Sequence, residues 1–157
     1  MNSKKVYVLA HNIRSMHNVG SLFRTADGAG VTKIYLTGYT PCPPRKDISK
    51  TALGAEQALP WEYHADPIAL LQKLKKRGVS LIALERTNGS RNITGFKAPH
   101  SFCLIIGNEV EGVEPSTLKL ADHVVSIPMH GEKESLNVSV AFGIAIYFLK
   151  YKSFASK

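Results

Sequence analysis

The sequence predicts an α/β domain: a mostly parallel sheet with helices on both faces. Three observations predict it. Short β-branched runs alternate with helical patterns along the 157 residues. The interiors of those runs are almost entirely apolar, as required of strands covered on both sides. Asp-Pro and Gly punctuation bounds the helical stretches between them.

Taken in order, residues 6–9 (Val6-Tyr7-Val8-Leu9) open the sheet, and the helix that follows has Asn18 as a plausible N-cap and ends at Gly28-Ala29-Gly30. Lys33-Ile34-Tyr35-Leu36 is the second strand. Asp66-Pro67 supplies an N-cap and a first-position proline to a helix carrying Ile68, Leu71 and Leu74, which Gly78 stops. Residues 79–84, 102–106 and 124–127 are further strands. The last helix runs from about residue 137 to 151, with Val138, Ala141, Ile144, Ala145 and Phe148 as its core stripe. Residues 38–60 and 88–101 read as long loops, rich in Gly, Pro or Asn and dotted with basic residues, and long loops in compact domains tend to carry function.

The composition sets limits. With 44% hydrophobic and 20% charged residues the chain is globular, and its size gives one domain over residues 1–157 with a full core and no need of disulfides. Cys42, in a proline-rich loop, and Cys103, in an apolar run, read as unpaired, with Cys103 buried. No leader opens the sequence and no apolar stretch reaches the roughly 18 residues of a membrane span, which makes a cytosolic location the expectation. A formal charge of +8 favours a polyanionic partner, nucleic acid first. The cluster Lys73, Lys75, Lys76 and Arg77 has a simpler use, at the C-terminal end of one helix.

In an open α/β sheet, ligands bind beyond the carboxyl ends of the strands. Three segments there are unusual. The first, after strand one, contains Asn12, Arg14, His17, Asn18, Gly20, Ser21 and Arg24; a helix N-terminus here favours an anion, and Arg24 can clamp a phosphate through two hydrogen bonds. The second is Gly107-Asn108-Glu109-Val110-Glu111-Gly112, where a glycine at a strand end admits close approach of a ligand and a carboxylate follows. The third runs from Ile127-Pro128-Met129 to Ser135-Leu136-Asn137, a hydroxyl and an amide at the mouth of the last helix; Ser135 is equally suited to capping it.

In type, order and position these segments resemble the three motifs of the SpoU/TrmH branch of the SPOUT methyltransferases, over nearly the whole chain from Val6 to Tyr147. The resemblance implies a C-terminal deep trefoil knot, homodimers, and S-adenosylmethionine bound in the knotted loops by Leu84, Gly107, Ile127, Met129 and Leu136. It makes Asn18, Arg24, Glu109, Ser135 and Asn137 the catalytic surround of methyl transfer to a ribose 2'-hydroxyl of tRNA or rRNA. A guanidinium with a pKa above about 12 is a poor base, so Arg24 is assigned to positioning the ribose and its phosphate, with Glu109 as the alternative proton acceptor. The reaction needs no metal, and the six histidines show no ligand spacing. Many such enzymes carry a separate RNA-binding extension; essentially none is expected here beyond Lys152, which leaves Arg14, Arg45, Lys46, Lys50, Arg86 and Arg91 as candidate phosphate contacts.

Competing readings are a base-methylating enzyme of the same fold and a catalytically silent RNA-binding module. A dinucleotide-dependent oxidoreductase fits less well, because Gly28-Ala29-Gly30 ends a helix where the dinucleotide fingerprint follows a strand directly.

Overall fold

In the computed structural model, residues 3–152 are described. Seven strands form one parallel sheet: β1 (Val6–His11), β2 (Lys33–Thr37), β3 (Trp61–His64), β4 (Ser80–Leu84), β5 (Arg91–Asn92), β6 (Phe102–Ile106) and β7 (His123–Ser126), in the order β3-β2-β1-β6-β4-β7-β5. The apolar runs thus sit at the centre, where β1 pairs with β2 on one side and β6 on the other.

Successive residues face opposite sides of a strand, and the two core layers follow from that alternation. Val6, Val8, Ala10, Leu104 and Ile106 pack with helices α1 (Met16–Gly28), α2 (Lys46–Ala52) and α6 (Val138–Tyr151). Leu9, Leu81, Ala83, Cys103 and Ile105 pack with α4 (Pro67–Lys76) and α5 (Pro115–Leu120) on the other face. Both cysteines are free, and burial pushes the Cys103 thiol well above its ordinary pKa. No helix among the described residues is long and apolar enough to cross a membrane.

The Asp66-Pro67 start and Gly78 stop of α4 are as expected, with the Asp66 carboxylate accepting from the Ile68 N–H at 2.9 Å. Three expectations are corrected. The cap of α1 is Ser15, not Asn18: Ser15 is extended and its hydroxyl accepts from the Asn18 N–H at 3.2 Å, so the helix begins at Met16. Residues 38–60 are not simply a loop, since they hold α2 and the short α3 (Ala55–Ala58). Ile48 and Ala52 of α2 bury against the first core layer, and α2 lies so close to α1 that a Cβ on Gly20 would sit 2.2 Å from the Ile48 carbonyl. The buried face of α6 is Phe142, Ala145, Ile146 and Leu149; Ile144, expected in the core, is 40% exposed.

Candidate active site

The carboxyl ends of β4, β6 and β7 and the approach to α6 enclose a cavity of about 200 Å³. Leu84, Gly107, Ile127, Met129 and Leu136, all five residues expected to hold a cofactor, line it, together with Glu109 and Ser135. Its apolar walls alternate with polar groups, among them Glu85, Glu111, Glu134 and a single cation, Arg86. Arg86 reaches across it, its guanidinium 3.5 Å from the Glu134 carbonyl.

The floor is a tight turn after β6. Asn108 and Gly112 exchange backbone hydrogen bonds at 3.1 and 3.0 Å, and the buried Asn108 carboxamide oxygen accepts from the Val110 and Glu111 N–H groups, each at 2.9 Å. The Glu85 carboxylate accepts from the Val113 N–H at 2.8 Å and holds the far side of the turn. Gly107 is required here by the packing of the turn itself. A Cβ would meet the Gly112 carbonyl oxygen at 2.3 Å, so the first group to approach it closely is the chain's own backbone.

Glu109 swings from this turn to the start of α1. Its carboxylate accepts from the backbone N–H of Arg14 at 3.0 Å, of Ser15 at 3.1 Å, and from the Asn18 carboxamide at 3.2 Å. A carboxylate of the chain itself therefore sits beside the start of α1, where the sequence favours an anion. Burial pushes the Glu109 pKa up, but these hydrogen bonds outweigh it and hold the pKa below the ordinary carboxylate value. A carboxylate so engaged is a weak proton acceptor, and Glu109 acts first as a latch between the two motifs.

The latch has a pH signature. A depressed pKa contributes stability that is fully present above the ordinary carboxylate value and lost as pH falls through the lowered folded value. Glu109→Gln is expected to destabilise the protein by ~1–3 kcal/mol at pH 7. Urea unfolding of both proteins at pH 7 and at about pH 3 checks this: the gap between them should close in acid, and an equal gap at both would leave no ionic latch.

Asn18 extends the arrangement, its carboxamide oxygen 3.4 Å from the Asn137 side-chain nitrogen. Asn137 caps α6, accepting from the Ser139 N–H at 2.9 Å. That leaves Ser135 free of the capping role and on the cavity wall. Asn18, Glu109 and Asn137 are thus one hydrogen-bonded set with Ser135 beside it. Arg24 stands apart: it is exposed on α1, in a shallow groove with Ser21, Thr25, Lys50, Thr51 and Tyr147.

The six candidate phosphate contacts are all exposed but do not share one surface. Arg14 lies at the latch, Arg45 and Lys46 begin α2, and Lys50 pairs with Asp47 at 3.3 Å beside Arg24. Arg86 is at the cavity. Arg91 is on the opposite edge strand, its guanidinium 5.2 Å from the Phe96 ring centroid, where it covers that side chain. Sequence reasoning did not single out Glu85 or Asn108. Glu85 was the more accessible of the two, being a carboxylate placed directly after an apolar strand.

A parallel sheet with its cavity at the carboxyl strand ends, and side chains from three separate motifs gathered at the rim, defines a small-molecule-dependent enzyme fold. The chain belongs to the SpoU rRNA Methylase family, whose model matches residues 5–147. It is 33% identical over 145 residues to the tRNA (guanosine(18)-2'-O)-methyltransferase of Aquifex aeolicus, covering 92% of this chain and 68% of the relative. It is 30% identical to the 23S rRNA (guanosine-2'-O-)-methyltransferase RlmB of Neisseria meningitidis, covering 93% of this chain and 58% of that one. Among solved structures, the AdoMet-bound rRNA methyltransferase of Sinorhizobium meliloti superposes with a TM-score of 0.89 at 26% identity, over 96% of this chain and 57% of that one. The chain therefore spans little more than half the length of several of its relatives.

Proposed function

We propose that this chain transfers a methyl group from S-adenosylmethionine to a ribose 2'-hydroxyl of tRNA or rRNA, as a cytoplasmic homodimer. The observation that carries the reading is the convergence of all five expected cofactor residues on one cavity, with Glu109 and Ser135 on its wall and Asn18 and Asn137 hydrogen-bonded at its rim. The lining suits the cofactor: apolar Leu84, Ile127, Met129 and Leu136 for a purine ring, carboxylates for a sulfonium and an ammonium, and Arg86 for a carboxylate. When bound, S-adenosylmethionine supplies an electrophilic methyl group with a neutral thioether as leaving group.

The chain's own residues would do the rest. Glu109 fixes the turn against α1, Asn18 and Asn137 offer carboxamide groups at the cavity edge, and Arg24 holds the target ribose through its phosphate. Arg24 lies outside the cavity, and next to it α6 exposes Val140, Ile144 and Tyr147 at 51%, 40% and 46%. An apolar face at helical spacing next to a functional cation is the surface on which a second copy would sit. Sedimentation mass tests that. The C-terminal trefoil knot that the resemblance implies is part of this proposal.

The test is transfer of labelled methyl groups from S-adenosylmethionine to total RNA lacking the modification, followed by alkaline hydrolysis. Label in alkali-resistant dinucleotides is expected, because a 2'-O-methyl group blocks cleavage of the adjoining linkage. Label in mononucleotides would move the reaction to a base, and no label would favour a silent binder.

A further inference from the structure

We propose that Tyr39, supported by Tyr63, is a stacking platform for an unpaired base of the RNA substrate. The proposal rests on the reading of the chain as an RNA methyltransferase and identifies how that substrate is gripped.

Tyr39 follows β2 at the carboxyl edge of the sheet, and its side chain is arranged the opposite way from most surface tyrosines. Such residues ordinarily cover their ring and leave the hydroxyl to water. Tyr39 is 58% exposed, yet its hydroxyl is engaged, accepting from the Asn108 carboxamide nitrogen at 2.8 Å. Its backbone N–H donates to the Asn12 side-chain oxygen at 3.0 Å. Tyr63, on the edge strand β3, is 48% exposed and donates its hydroxyl to the Gly38 carbonyl at 2.8 Å. Both phenols are therefore pinned by their hydroxyls, Tyr63 at the Gly38 carbonyl and Tyr39 at Asn108, in residues that stay largely exposed.

The backbone beneath them is interlocked. Gly38 has φ +66, and a Cβ there would lie 1.9 Å from the Asn12 side-chain oxygen; Asn12 itself adopts φ 55. A fixed aromatic face loses little conformational entropy on binding, and any base can stack on it. Asn108, which holds the Tyr39 hydroxyl, also lines the cofactor cavity and ties its turn, so one side chain links the platform to the reaction site. Beyond Tyr39 the chain runs on to exposed Arg45 and Lys46, cations suited to the phosphates flanking a stacked nucleotide.

The experiment compares the full chain with Tyr39→Leu, Tyr39→Phe and Tyr39→Trp variants, using bulk tRNA and bulk rRNA as probes. Tyr39→Leu is expected to weaken RNA binding about tenfold or more and to raise KM for RNA, with S-adenosylmethionine affinity unchanged. Tyr39→Phe keeps the ring and should retain binding. The indole of Tyr39→Trp should be quenched on adding RNA beyond the response of Trp61 in the parent. RNA binding by Tyr39→Leu equal to the parent's, or an unresponsive indole, would overturn the platform alone. A fall in cofactor affinity for Tyr39→Leu would also overturn it, by assigning the ring a packing role. If the parent bound neither RNA, the methyltransferase reading and the platform would fall together.

Discussion

Replacing Arg24 with Lys is expected to lower methyl transfer by roughly a hundredfold or more while leaving S-adenosylmethionine affinity unchanged. The separation follows from the geometry. Arg24 is on α1, outside the cavity that Leu84, Gly107, Ile127, Met129 and Leu136 line, so the cofactor should not sense the change. The introduced lysine is itself a cation, so net charge is not what the substitution removes. What is lost is the planar fork that holds a phosphate in one orientation, and small errors in placing a nucleophile are costly. Single-turnover kinetics with calorimetric titration of the cofactor checks both halves. Full activity in the variant would remove Arg24 from the reaction.

Gly107→Ala is expected to destabilise the protein by about 1–3 kcal/mol and to abolish measurable cofactor binding. The added methyl group would lie 2.3 Å from the Gly112 carbonyl oxygen and 2.6 Å from the Val113 nitrogen, and neither can yield alone. The turn is closed by reciprocal Asn108–Gly112 hydrogen bonds, its crest is tied by the Asn108 side chain, and Glu85 holds Val113. Relief must therefore come from moving the whole floor of the cavity. Chemical denaturation and cofactor titration read the two effects, and a variant that bound the cofactor normally would show the turn to be more compliant than its hydrogen bonds indicate.

The central strands were legible because burial on both faces leaves a continuous apolar run, as in Phe102–Ile106, which has the same bounds in sequence and structure. The five residues expected to hold a cofactor were picked out by their motifs, and all of them line one cavity. Other features were not, for identifiable reasons. Both Ser15 and Asn18 have capping side chains, and only the extended backbone at Ser15 decides between them. The seven residues of α2 bury only Ile48 and Ala52, too few for a helical period to emerge. β3 is an edge strand with Glu62 and Tyr63 exposed, which blurs its apolar pattern. In α6 almost every position is apolar, so periodicity could not say which face was the core, and the expected stripe was rotated toward Ile144. The latch by Glu109 joins groups from Arg14 to Glu109, a contact that no local pattern encodes.

The pairing of β1 with β6 also bears on how the protein is made. Val6 aligns with Phe102 and Ala10 with Ile106, so once β1 has left the ribosome it lacks one of its two neighbours until roughly 96 further residues have followed. At about 5–20 residues per second, that is a wait of roughly 5–20 s with an apolar strand edge exposed. Until then β2 is the strand that can shield it, and Glu109, arriving shortly after β6, closes the start of α1 only once that edge is covered.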